Sequence, residues 1–149
     1  MPTHYSGTRA EMRTLNTFIK LTRCTNSLCT RLTERNTLDD LTPSQFSVLE
    51  ALYHLGSMTQ GEVSTKVLKS GSNMTTVIDN LERDGLVKRE RDAKDRRVIN
   101  IHLTEAGTRK LEAVLPGHIA ALVDEFSFLS ASEQLTLAEL CKKLGKGKG

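Results

Sequence analysis

The stretch from Leu86 to Leu103, LVKRERDAKDRRVINIHL, decides the fold. Lys88, Arg89 and Arg91 lie on a short basic segment that enters the charged turn Asp92-Ala93-Lys94-Asp95. Beyond the turn, Ile99, Ile101 and Leu103 alternate with Asn100 and His102, the period-two pattern of a half-buried strand. The stretch therefore reads as a β-hairpin with a cationic, solvated tip. Immediately before it, Ser70 to Asp84 reads as an amphipathic helix ending at Gly85. Met74, Val77, Ile78 and Leu81 form its inward stripe, which leaves Ser72, Asn73, Thr75, Thr76, Asp79, Asn80 and Arg83 facing out. A helix followed at once by a basic hairpin is the order of a winged helix-turn-helix, a mainly α fold with a small β-hairpin.

In such an arrangement the helix can enter a DNA major groove while the hairpin reaches an adjacent minor groove. Serine, threonine and asparagine both donate and accept hydrogen bonds, so Ser72, Asn73, Thr75, Thr76 and Asn80, with Arg83, suit base edges and phosphates. The same residues occur on any solvated helix face; what favours DNA is their place ahead of a basic hairpin. The formal net charge is only +3, so location matters more than total. From Arg83 to Arg97 there are seven cations and four anions, a local excess of three. With no Trp, two Tyr and four Phe, the chain has few platforms for stacking unpaired bases, which favours duplex DNA over single strands or RNA.

The remainder reads as helices around this core. Leu15 to Leu32 is predicted helical and apolar on two faces, with Leu15, Phe18 and Ile19 on one and Leu21, Leu28 and Leu32 on the other. Thr42-Pro43-Ser44-Gln45 is a capping box with proline at the first helical position, opening a helix that carries Phe46, Leu49, Leu52 and Tyr53 and stops near Gly56. Thr59-Gln60-Gly61-Glu62 is a second box, opening a short helix with Val63 and Val67. Thr104 caps a long helix through Leu111, Val114, Leu115, Ile119, Leu122, Val123 and Phe126, which Pro116 is expected to bend or break for one turn. Ser130-Ala131-Ser132-Glu133 opens a last helix through Leu137, Cys141 and Leu144, ending at Gly145. At 149 residues this is one domain by size, with 36–104 as the winged helix-turn-helix and 10–35 and 105–145 as dimerisation helices. The apolar cover of those helices exceeds what a small core buries, so a homodimer is expected.

Several functions lack their residues. There is no Gly-rich phosphate loop, nucleophile elbow, HExxH or carboxylate pair in an apolar setting, so no enzyme is predicted. His4, His54, His102 and His118 are scattered without ligand spacing, and no cofactor or metal is expected. The polar N-terminus and the lack of a long apolar run predict a cytoplasmic protein with its three cysteines reduced.

Four ordered blocks also carry a family resemblance. Asp92-x-x-Asp95-Arg96-Arg97 followed by Leu103-Thr104-Glu105-Ala106-Gly107 resembles the wing signature of the MarR family of transcriptional regulators. Leu41-Thr42-Pro43-Ser44-Gln45-Phe46, then Ser72-Asn73-Met74-Thr75 to Asp79 with Leu81-Glu82 and Gly85-Leu86-Val87, are similar to the same family in the same order. The match spans roughly Leu15 to Leu144. It implies a dimeric regulator of double-stranded DNA, a repressor that binds a pseudo-palindromic operator. It further implies release by a small aromatic or phenolic effector, held in the cleft between the dimer helices and the DNA-binding part.

The resemblance implies that Arg97 reads the groove, while strand alternation alone does not separate Arg96 from Arg97. Arg96 and Lys94 are then expected on phosphates, with Asp92 and Asp95 holding the arginines in place. A flanking carboxylate limits the rotamer entropy that a long side chain loses on binding. Many members carry arginines at the positions of Thr76 and Asn80, so base contacts here should rely less on arginine–guanine pairing. Asp79 matches an acidic position of the family; facing phosphate it would cost affinity, so it reads as an ion-pair partner that orients a nearby arginine. Some relatives sense oxidants through a cysteine in the first helix, and a redox-sensing regulator of the same fold is the alternative. Cys24 and Cys29 lie about 140° apart around a helix and cannot bridge within it, and the peroxide sensors carry their cysteine nearer the helix start. Cys24, beside Leu21 and Leu28, is expected to be a small buried hydrophobe.

Overall fold

Hydroxyl side chains set where four of the helices begin. Thr8, Thr42, Thr59 and Ser130 each accept a hydrogen bond from the backbone N–H three residues on, and Glu11, Gln45, Glu62 and Glu133 reach back to complete capping boxes. A cap of this kind is worth about 1 kcal/mol. The computed structural model of the chain describes residues 4–67 and 73–148. In order, the elements are α1 (Arg9–Arg35), α2 (Pro43–Leu55), β1 (Met58–Thr59), α3 (Gln60–Lys66), α4 (Met74–Arg83), β2 (Val87–Arg91), β3 (Ile99–Leu103), α5 (Glu105–Phe126) and α6 (Ala131–Lys146). No helix among the described residues is long and apolar enough to cross a membrane.

The predicted hairpin is present, with β2 antiparallel to β3 and Arg89 opposite Ile101. Sequence reading missed β1, two residues long, whose Met58 pairs with Ile101 to give the sheet order β1-β3-β2. The strand is too short to show a periodic pattern. The predicted helix start at Ser70 lies outside the described residues, as does Ser72; α4 is described from Met74, with Asn73 as its N-cap. On α2, Phe46, Val48, Leu49 and Leu52 are buried, while Tyr53 is exposed. α5 continues through Pro116 to Phe126 as one helix. α6 ends at Lys146 with Gly147 as its cap, not at Gly145. Cys24, expected to be buried, is exposed, as are Cys29 and Cys141.

The chain divides into two compact units. In the unit Leu38–Ile119, Val48 and Leu49 of α2, Val63 of α3, Ile78 and Leu81 of α4, Val87, Ile101 and Leu111 form a fully buried apolar core. Burying each such side chain stabilises by roughly 1.5–3 kcal/mol. Lys110 pairs with Asp39 and Asp40 at the edge of this unit. The other unit comprises the chain up to Thr37 and from Ala120 onward. Within it, Arg31 and Arg35 of α1 pair with Glu125, and Arg35 also with Asp124. Neither α1 nor α6 buries a residue, and Phe18, Val123, Leu135 and Leu144 are all more than half exposed.

One junction fixes how the hairpin enters α5. Gly85, at φ +76°, turns the chain out of α4 in a conformation that disfavours side chains. Its carbonyl accepts from the Thr104 hydroxyl at 2.7 Å, and the Leu86 carbonyl accepts from the Thr104 N–H at 3.1 Å. The Thr104 hydroxyl accepts in turn from the N–H of Gly107 at 3.0 Å. A Cβ on Gly107 would sit 2.1 Å from the Leu86 carbonyl oxygen, so only glycine fits. Gly107→Ala should cost about 1–3 kcal/mol, the range for overpacking a tight site. Denaturant unfolding at fixed protein concentration checks this, and an unchanged midpoint would contradict the close approach.

Candidate nucleic-acid interface

All the predicted site residues that the structure describes lie in the unit Leu38–Ile119. α4 carries Thr75 and Thr76 on its exposed surface, with Asn80 half-buried. The Asn73 side-chain oxygen accepts from the Thr76 N–H at 3.3 Å, so part of its capacity is used to start the helix. The Thr75 hydroxyl accepts from the Gln60 amide at 2.8 Å, a tie from α3 to α4 that sequence reading did not foresee. Arg83, in the last turn, lies 3.5 Å from the Asp84 carboxylate and is largely solvent-exposed.

The strongest tie in the region joins α4 to the hairpin. Arg89 of β2 reaches Asp79 at 2.7 Å and Glu82 at 2.9 Å, and its own N–H donates to the second oxygen of Glu82 at 2.9 Å. The two carboxylates are three apart, hence on one face of the helix. Burial removes solvation from the Arg89 guanidinium, but the hydrogen bonds to Asp79 and then Glu82 outweigh it and hold its pKa above the ordinary arginine value. Asp79 is thus an ion-pair partner of an arginine, as its sequence position predicts, and that arginine is Arg89. The ion pair also takes the cation that the sequence places in the basic strand and spends it on structure.

The hairpin tip is built by its aspartates. The Asp92 carboxylate accepts from the N–H groups of Lys94 at 3.0 Å and Asp95 at 3.1 Å, and from the Asn100 amide at 3.2 Å. It was expected to hold an arginine; instead it accepts from two successive backbone donors and a cross-strand side chain. Asp95 does hold Arg97, accepting from Nε at 3.2 Å, from Nη2 at 3.4 Å and from the backbone N–H at 3.1 Å. These bonds, the side-chain one first, keep the Asp95 carboxyl below the usual carboxylate range, so it stays ionised at neutral pH. Arg91 donates to the Arg96 carbonyl at 2.7 Å and buttresses the turn from the strand. Among the described residues, the side chains of Lys94 and Arg96 have no ion-pair partner. The tip therefore presents one oriented cation, Arg97, and two free ones.

Sequence reading missed the roles of Gln60, Glu82 and Arg91. Glu82 and Arg89, seven apart across a glycine turn, were both visible as charges, but no periodicity links a helix residue to a strand residue. Gln60 had no signal at all, since a glutamine just inside a helix is common.

The model of the MarR family matches residues 41–99, from the start of α2 into β3. HTH-type transcriptional regulator MhqR of Bacillus subtilis (strain 168) is 32% identical over 133 residues, covering 89% of this chain and 92% of its own. The chain belongs to the MarR family. As a MarR protein it is a DNA-binding transcriptional regulator. The HTH-type transcriptional repressor MdtR of the same organism is 37% identical over 106 residues, 71% of this chain and 68% of its own. Among solved structures, a MarR family protein from Bacillus stearothermophilus is 33% identical, with a TM-score of 0.68, covering 90% of this chain and 94% of that one.

The Arg89 clamp makes a distinct demand on this MarR protein. Arg89→Ala should cost about 1–2 kcal/mol of stability, discounted for the exposure of Asp79. It should weaken binding to every duplex, yet leave the salt dependence of binding at its wild-type slope, because Arg89 is committed to carboxylates. A slope reduced by about one ion would show instead that Arg89 contacts phosphate.

Proposed function

We propose that this MarR protein is a homodimeric repressor that reads a pseudo-palindromic operator, with α4 in the major groove and the hairpin tip in the flanking minor groove. The observation that carries this reading is at the tip: the Arg97 side chain is 92% exposed, yet its guanidinium is held by Asp95. An arginine that is solvated but already oriented loses little entropy when it enters a groove. Narrow A·T tracts concentrate negative potential there and attract such a side chain. Thr75, Thr76 and Asn80 then face base edges, while Lys94, Arg96 and Arg83 face phosphates. The operator half-sites are centred about 10 bp apart, as two recognition helices of a two-fold dimer require.

The apolar side chains left exposed on α1 and α6 support dimerisation through those helices, since patches of that kind are rare on monomers. The name of MdtR, a repressor, supports repression as the output. The family resemblance supports release by a small aromatic or phenolic effector.

The test uses a duplex selected by the wild-type protein from a random-sequence pool. Arg97→Ala should cost about 1–3 kcal/mol of binding, most on duplexes with A·T-rich flanks. Lys94→Ala should weaken all duplexes about equally and flatten the salt dependence by less than one ion. Both proteins should keep wild-type helicity and mass. An Arg97→Ala protein that binds the selected duplex like wild type contradicts the tip assignment.

A further inference from the structure

The hairpin tip runs from Asp92 to Val98, between Arg91 as the last residue of β2 and Ile99 as the first of β3. The Arg97 side chain is 92% exposed and gets little direction from packing, so hydrogen bonds must aim it. Two of the bonds that converge on it start in the strands. From β2, Arg91 Nη1 donates to the Arg96 carbonyl at 2.7 Å. That carbonyl and the Arg97 N–H belong to one planar peptide, and the N–H donates to Asp95 Oδ1 at 3.1 Å. The peptide leading into Arg97 is thus held on both edges. From β3, the Asn100 amide donates to Asp92 Oδ1 at 3.2 Å, while Asp92 Oδ2 accepts from the N–H groups of Lys94 and Asp95. A carboxylate bound through one oxygen can pivot; the bond to the other oxygen fixes its plane, and with it the backbone of Asp95. Asp95 in turn holds the Arg97 guanidinium, at 3.2 Å from Nε and 3.4 Å from Nη2. Asn100 is well placed as an anchor, because β3 is the central strand and sets it opposite Thr59 on one side and Glu90 on the other.

We propose that Arg91 and Asn100 orient Arg97 and so set how strongly the protein prefers A·T-rich flanks. The proposal rests on Arg97 being the residue that enters the minor groove. Arg91 and Asn100 are positioning residues: one acts through a peptide, the other through two aspartates, and neither contacts a base. An arginine already aimed loses less rotamer freedom on entering a groove than one that swings freely. That advantage applies only where the arginine enters, which is the narrow groove of an A·T tract. Loosening either brace therefore weakens the flank preference, while the contacts of α4 and of the phosphate-facing cations stay as they are.

The measurement is the ratio of affinities for two versions of the duplex that wild-type protein selects from a random pool, one with A·T-rich and one with G·C-rich flanks. Both versions carry the same phosphates, so at one salt concentration a general change in charge or in active protein cancels in the ratio. Arg91→Ala and Asn100→Ala should each lower it about two- to tenfold, the scale for one long side chain left unordered. Asn100→Asp keeps the shape but replaces the donor to Asp92 by a second carboxylate, and should lower the ratio at least as far. In an Arg97→Ala background the same changes should leave the ratio where Arg97→Ala alone puts it. A second readout needs no DNA: the NMR order parameter of the Arg97 Nε–H in the free protein should fall in all three variants. A wild-type ratio or a wild-type order parameter in these variants overturns the proposal. So does a further drop of the ratio in the Arg97→Ala background, which would mean that the braces read DNA themselves. An Arg97→Ala protein with the wild-type ratio refutes the groove reading of Arg97 and the flank preference with it; the order parameter separates that result from a failure of the braces.

Discussion

The position of the hairpin relative to α4 depends on one side chain. Arg89 gives up its charge to Asp79 and Glu82, and its backbone N–H to Glu82 as well. A winged helix reads DNA with two elements, and their mutual geometry must be set before either meets a groove. Here it is set by a three-bond clamp on one side and by the Thr104 and Gly107 junction on the other. Between them lies the apolar layer of Ile78, Leu81, Val87 and Ile101, which holds helix and sheet at packing distance but does not by itself fix orientation. Directional bonds supply what the non-directional core cannot.

The same logic of carboxylates holding cations recurs at the tip with a different outcome. Arg89 is mostly covered and is consumed by the fold, whereas Arg97 is open to solvent and stays available. Two arginines eight residues apart thus divide the labour of the basic hairpin. Counting cations in the sequence overstates the number that can face DNA, because Arg89 and Arg91 both have partners within the protein.

Much of this was legible in the sequence. Period-two alternation placed β3, the S/T-x-x-E/Q boxes placed the starts of α2, α3 and α6, and the order of blocks gave the family. Asp79 was read as an arginine's partner because a carboxylate facing phosphate makes no physical sense. What escaped reading were contacts between elements far apart in the chain. β1 is too short to leave a pattern, Gln60 meets Thr75 only after two helices have packed, and Asp92 was assigned to an arginine when the turn needed its oxygens for backbone N–H groups. Cys24 was expected inward from its place beside Leu21 and Leu28, and spacing does not distinguish a face that packs within the chain from one that does not.

We propose that helix and hairpin act as one oriented reader, presented twice by a two-fold dimer. The most direct measurement tethers an iron chelate at the tip through Lys94→Cys, in protein whose Cys24, Cys29 and Cys141 have been replaced, and maps cleavage on the selected duplex. The account predicts two cleavage patches placed symmetrically about the centre of the site, each offset across a minor groove that flanks the recognition half-site. A single patch, or cleavage no stronger than with free chelate, would contradict it.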